Sequence, residues 1–217
     1  MKSEIKNVLI IGDSYSTFTG ANPAGYAVYY SDADTEKTDV RRECETWWYL
    51  LREKTGIRIA QNNSWSGSTV GYTGYNNSDC SHSSSFIYRL ERLVESGFFE
   101  SEKIDTVFVF GGTNDSWANV ELGEVSFGTH TDAELRTVLP AICHITGRLA
   151  EIMKGGRVIY IINSGLKPEI GEAVKLAAEH YGTEYIALCN VDKRCNHPTV
   201  EGMKNICDEV YDYVKRA

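Results

Sequence analysis

Near the start of the chain, KNVLII (Lys6 to Ile11) is a continuous apolar run, the pattern of a strand covered on both faces. IRIAQNN, from Ile57, opens as a second strand and passes into the polar turn NNSWSGST. IDTVFVFGG from Ile104, RVIYIINSG from Arg157 and TEYIALCNV from Thr183 read as three more apolar strands. Between them the period lengthens to that of helices. ETWWYLLREKTG predicts a helix capped by Thr46 and stopped by Gly56, and SSFIYRLERLVES predicts another over 84–96. From Thr131 to about Lys154 the pattern is again helical, with Pro140 and Gly147 inside it predicting a kink or two helices. KPEIGEAVKLAAEHYG places Pro168 in a first helical turn and Gly182 at the end, and PTVEGMKNICDEVYDYVKRA predicts a last helix. Tyr15 to about Arg42 has little periodicity and predicts an irregular, tyrosine-rich loop. Apolar strands alternating with helices predict an α/β fold, a parallel sheet with helices on both faces. No composition break divides the chain, so residues 1–217 are expected to form one domain.

Composition narrows the partners. A net charge of −8 argues against nucleic acid and anionic membrane surfaces, and no apolar run is long enough to span a bilayer. The first residues, MKSEIKNVLIIGDS, lack the form of a secretory signal, so a cytoplasmic location is expected. An Asn-x-Ser sequon at Asn114 agrees with this, since a glycan there would fill the site described next. The six cysteines form no CxxC pair and are expected as free thiols. Neither Cys80 with His82 nor Cys195 with His197 has the spacing of a zinc site, so no metal and no cofactor is expected.

Ligands of open parallel sheets bind beyond the carboxyl ends of the strands. The residues there are Gly12-Asp13-Ser14 after the first strand, Ser64-Trp65-Ser66-Gly67 after the second and Gly112-Thr113-Asn114-Asp115 after the third. Asp192 to Thr199 follow the fifth. Singly, Ser14 suits a helix cap, Asn114 a turn and His197 a loop. Together they complete an acyl-transfer site. Ser14 is the nucleophile and His197 the base that takes its proton. The backbone amides of Ser14 and Gly67 and the side-chain amide of Asn114 are oxyanion donors. Trp65, Trp117 and Tyr15 are candidate walls for substrate.

These four blocks resemble those of the SGNH (GDSL-type) hydrolase family, named for serine, glycine, asparagine and histidine in separate segments. Here the matches are Ser14 in GDS, Gly67 in NSWSGST, Asn114 in GGTND and His197 in NHPT, spread over nearly the whole chain. The resemblance implies a three-layer α/β/α sandwich with a five-stranded, flavodoxin-like parallel sheet. It also implies metal-free hydrolysis of carboxylic esters through an acyl-serine. Short-chain or acetyl esters, on small molecules or carbohydrates, are the expected substrates. One departure stands out. The family's aspartate three residues before the histidine is Arg194 here, and the nearest acid is Asp192. Asp192 is therefore the expected third member of the site, with a backbone carbonyl as the alternative. The same departure motivates a second reading, a catalytically weakened binding module for an acylated or glycan ligand. A nucleotide-binding domain is a third, but no glycine-rich phosphate loop supports it.

Overall fold

A computed structural model describes residues 5–33 and 36–216. Five parallel strands form one sheet: β1 (Asn7–Gly12), β2 (Arg58–Ser64), β3 (Thr106–Phe110), β4 (Arg157–Ile162) and β5 (Glu184–Ala187), in spatial order β2-β1-β3-β4-β5. The helices are α1 (Trp47–Thr55), α2 (Phe86–Glu95), α3 (Phe98–Glu102), α4 (Thr113–Trp117), α5 (Val138–Ile152) and α6 (Pro168–Tyr181). Two antiparallel two-residue strands follow, β6 (Lys193–Arg194) and β7 (His197–Pro198), and the last helix is α7 (Val200–Arg216).

The alternation of side chains along each strand divides the core into two layers. Leu9, Ile11, Val107, Val109, Tyr160 and Ile162 face one side, where α2, α5 and α6 cover them. Val8, Ile10, Phe108, Phe110, Ile159 and Ile161 face the other, under α1 and α7. The result is the expected three-layer α/β/α sandwich. Continuous apolar strands are what two covered faces demand.

Chain order along the sheet reverses between β1 and β3: the chain steps outward to β2, then crosses back to β3 on the other side of β1. The crevice beyond the carboxyl ends at such a switch point is where open α/β sheets bind ligands. Ser14 follows β1 and Asn114 follows β3, so both stand at it.

The long helical stretch divides at the extended Thr137 into a 3-10 turn, Glu134–Arg136, and α5, which runs unbroken past Gly147. The helix starts at Val138, which leaves Pro140 in the first turn, where a missing N–H breaks no ladder bond. Gly147 makes room for a neighbour, since a Cβ there would lie 2.7 Å from the Tyr181 ring. The six cysteines are free.

Candidate active site

The serine is placed by the tight exit from β1. A Cβ on Gly12 would lie 2.7 Å from Ser64 Oγ, so glycine lets β1 end against β2. Asp13 then accepts the Tyr15 N–H at 3.0 Å and starts a single 3-10 turn, Ser14–Ser16. Ser14 stands at the head of that turn, and its Oγ lies 3.0 Å from His197 Nε2. Ser16, the rival hydroxyl, is buried and committed: Trp47 Nε1 donates to its Oγ, and Trp48 Nε1 and Asn62 Nδ2 donate to its carbonyl.

The three expected oxyanion donors follow the carboxyl ends of β1, β2 and β3. Gly67 has φ +80°, a conformation that favours glycine, and the space its Cβ would occupy is open. The backbone amides of Ser14 and Gly67 donate to no acceptor among the described residues. Asn114 Nδ2 gives one hydrogen to the Ser68 carbonyl at 2.9 Å, and the Tyr75 hydroxyl donates to Asn114 Oδ1 at 2.9 Å. Those two bonds fix which way the amide faces and leave its second N–H unspent.

A buried cation holds this side together. Arg89, 1% exposed, donates to the Gly12 carbonyl and Ser68 Oγ at 3.1 Å each, to Ser84 O and Asn63 Oδ1 at 2.9 Å, and to the Asn63 carbonyl. It thereby ties the ends of β1 and β2 to the turn carrying Gly67. Burial lowers its pKa to about 10. Two fully buried carboxyls lie near. Burial pushes Asp13 up to about 7, and Asp115, which accepts the Val70 N–H, up to about 6. Asp13 Oδ2 has no hydrogen-bond partner among the described residues.

The histidine arrives differently. β6 and β7 form a tight hairpin whose turn residues, Cys195 (φ +49°) and Asn196 (φ +62°), are both left-handed, as a type I′ turn requires. The turn brings the Cys195 carbonyl to 3.1 Å from His197 Nδ1. With Nδ1–H donating there, Nε2 carries the lone pair that faces Ser14. Burial holds the His197 pKa below the ordinary value, the Cys195 carbonyl offsets part of this, and nearby Lys193 lowers it further. Lys193 Nζ donates to the Ser164 carbonyl at 2.7 Å and to Asn163 Oδ1 at 3.1 Å.

The expected orienting role of Asp192 needs correction. Its carboxylate accepts the Thr199 hydroxyl, and its carbonyl accepts the Thr199 N–H at 3.1 Å. Thr199 in turn accepts the Gly202 N–H and caps α7. Asp192 thus anchors the foot of the hairpin, and no carboxylate among the described residues hydrogen-bonds His197. Arg194 pairs across the hairpin with His197 and is exposed.

Tyr15 is also not where a substrate wall would be. It is fully buried, and its hydroxyl donates to the Asn196 carbonyl at 2.5 Å, bracing the hairpin from below. Trp65 is half-buried and packs against Tyr26 with centroids 4.3 Å apart and planes tilted by 33°. Trp117 remains open, 38% exposed, with its ring centroid 5.6 Å from that of His197.

Sequence reasoning missed Arg89 and Lys193 as parts of the site. Arg89 left a signal: it is a charge inside the apolar stripe Phe86, Leu90, Leu93. The tyrosines of the loop between Tyr15 and Tyr30 read from sequence as candidate pocket walls, and the contacts of Tyr29 and Tyr30 with His197 left no signal there.

A GDSL-like lipase/acylhydrolase family model matches residues 6–214. A solved structure of a candidate GDSL-like lipase from Bacteroides ovatus superposes with TM-score 0.90 at 33% identity, over 99% of this chain and 100% of that one. A second, from Bacteroides uniformis, gives TM-score 0.90 at 38% identity, over 98% and 97%. A family two carbohydrate esterase from Clostridium thermocellum, in complex with cellohexaose, shares the fold with TM-score 0.67 at 12% identity, over 99% and 65%. No curated protein matches the chain.

Proposed function

Because this chain belongs to the GDSL-like lipase/acylhydrolase family, we propose that it is a serine esterase that cleaves short-chain or acetyl esters. The observation that carries the reading is the 3.0 Å contact between Ser14 Oγ and His197 Nε2, beside two backbone amides with no described acceptor. Ser14 attacks the ester carbonyl as its proton passes to His197 Nε2. The oxyanion takes hydrogen bonds from the Ser14 and Gly67 amides and from Asn114 Nδ2. His197 returns the proton to the departing alcohol. A water, deprotonated by the same nitrogen, then releases the acid and restores Ser14. The Cys195 carbonyl holds the imidazole tautomer throughout, so the machinery is a Ser–His dyad with a main-chain orienter.

Carbohydrate esters are the substrate class we favour. Trp117 and Tyr75, 38% and 40% exposed, offer ring faces at the mouth of the site, on which a sugar can lie. A carbohydrate esterase of the same fold binds cellohexaose, in keeping with that choice. The lack of an orienting carboxylate among the described residues favours a second reading, a binding module that retains the fold with little turnover.

Hydrolysis of p-nitrophenyl acetate by the wild type and by Ser14→Ala separates the two. The esterase reading expects a loss of about 10⁴-fold or more in kcat. Equal rates in both proteins overturn it.

A further inference from the structure

His197 stands inside a shell of aromatic rings. Tyr29 is stacked on its face, with centroids 3.5 Å apart and planes 5° from parallel. The rings of Tyr15, Trp117 and Tyr30 lie at 5.5, 5.6 and 6.3 Å, tilted or edge-on. Shell and hairpin are joined, because Tyr15 and Tyr30 donate their hydroxyls to the carbonyls of Asn196 and Pro198.

A carboxylate behind a catalytic histidine has two duties: it selects the tautomer, and its charge stabilises the imidazolium formed when the serine proton arrives. The Cys195 carbonyl performs the first duty but brings no net charge. Among the described residues, the groups around the ring do not supply one either. From β6 comes Lys193, a like charge that opposes the imidazolium. From the turn after β1 come Ser14 and Tyr15, from the long loop Tyr29 and Tyr30, and from α4 Trp117, none of them a carboxylate. What does face the imidazole is the negative face of an aromatic quadrupole, well inside the roughly 6 Å over which such a face attracts a cation.

We infer that Tyr29 is a positioning residue whose ring face stabilises the His197 imidazolium, the duty left open by the missing carboxylate. This rests on the Ser14–His197 esterase reading. The proton balance is simple: the Ser14 hydroxyl proton moves to Nε2, and the positive charge spreads over a ring already stacked on Tyr29.

The test is an NMR titration of His197 in the full chain, with kcat measured in parallel, for Tyr29→Phe, Tyr29→Leu and replacement of Tyr29 by pentafluorophenylalanine. Phenylalanine keeps the negative face and holds the His197 pKa. Leucine keeps burial without a face. Pentafluorophenylalanine keeps shape and burial but reverses the face. Both lower the pKa, by about one unit, and kcat by about tenfold. Should leucine disturb the fold, the fluorinated ring alone decides. A His197 pKa equal in the phenylalanine and pentafluorophenylalanine variants overturns the inference. Labelling of wild-type Ser14 by a fluorophosphonate is read separately. Its failure counts against the esterase reading, and the titration still reports on Tyr29.

Discussion

The two halves of the site are built by different means. Ser14 and Asn114 leave the ends of β1 and β3, strands packed on both faces, Gly67 follows the edge strand β2, and Arg89 laces the ends of β1 and β2 to the turn that carries Gly67. His197 sits on a hairpin with two-residue strands, whose Arg194, Cys195 and Asn196 are exposed. Its place depends on Tyr15, Tyr30, the Asp192–Thr199 clasp and the stacked Tyr29. The position of Ser14 is therefore a property of the core, and the position of His197 is a property of a few side chains. Damage on the serine side should lower stability and activity together, whereas damage on the hairpin should lower activity alone.

Four variants probe this contrast. Asn114→Ala removes a donor to the oxyanion and should lower kcat by about 10²–10³-fold with little change in KM. Steady-state kinetics on p-nitrophenyl acetate measure it, and a change under threefold would remove Asn114 from the oxyanion hole. Arg89→Met strands several buried acceptors at once and should cost about 3 kcal/mol or more, read as a lower urea midpoint. An unchanged midpoint would mean that the guanidinium does not hold the serine half.

The third variant works through pH. The Asp13 carboxyl is raised from 3.8 to about 7, so the native state binds a proton that the unfolded chain has released. Stability therefore declines as pH rises across that window. Asp13→Asn, of the same shape and never charged, escapes the decline. Its stability relative to wild type should grow by about 2 kcal/mol between pH 5 and pH 7, in denaturant melts at each pH. Parallel stability curves for the two proteins would show that Asp13 does not titrate there.

The smallest effect belongs to the hairpin's foot. Asp192→Asn keeps an acceptor for the Thr199 hydroxyl and should lower kcat by less than about tenfold. Loss of an orienting triad carboxylate costs about 10⁴-fold. A fall of that larger size would return Asp192 to the catalytic machinery.

The serine half was the readable half. Unbroken apolar runs marked β1 and β3, because two covered faces leave such a pattern, and the shorter IRIA stretch marked the edge strand β2; together they placed Ser14, Gly67 and Asn114 at one sheet edge. The hairpin has no such pattern. Two-residue strands are too short for a period, and Cys195 is an unusual residue for a left-handed turn position. Distance in sequence alone therefore made Asp192 look like the partner of His197. The stack of Tyr29 on His197 joins residues far apart through tertiary packing only, and the aperiodic, tyrosine-rich loop singles out no one ring for it. Arg89 lies between these cases, since its charge on an apolar stripe was visible although its acceptors were not.

The serine and the histidine that faces it are 183 residues apart in the chain. At ribosomal speeds of 5–20 residues per second, roughly ten to forty seconds separate their synthesis. Through that interval Ser14 exists without its base, and a chain cut short before the hairpin never acquires one. On the esterase reading, acylation of Ser14 is thus a chemical record that translation reached His197.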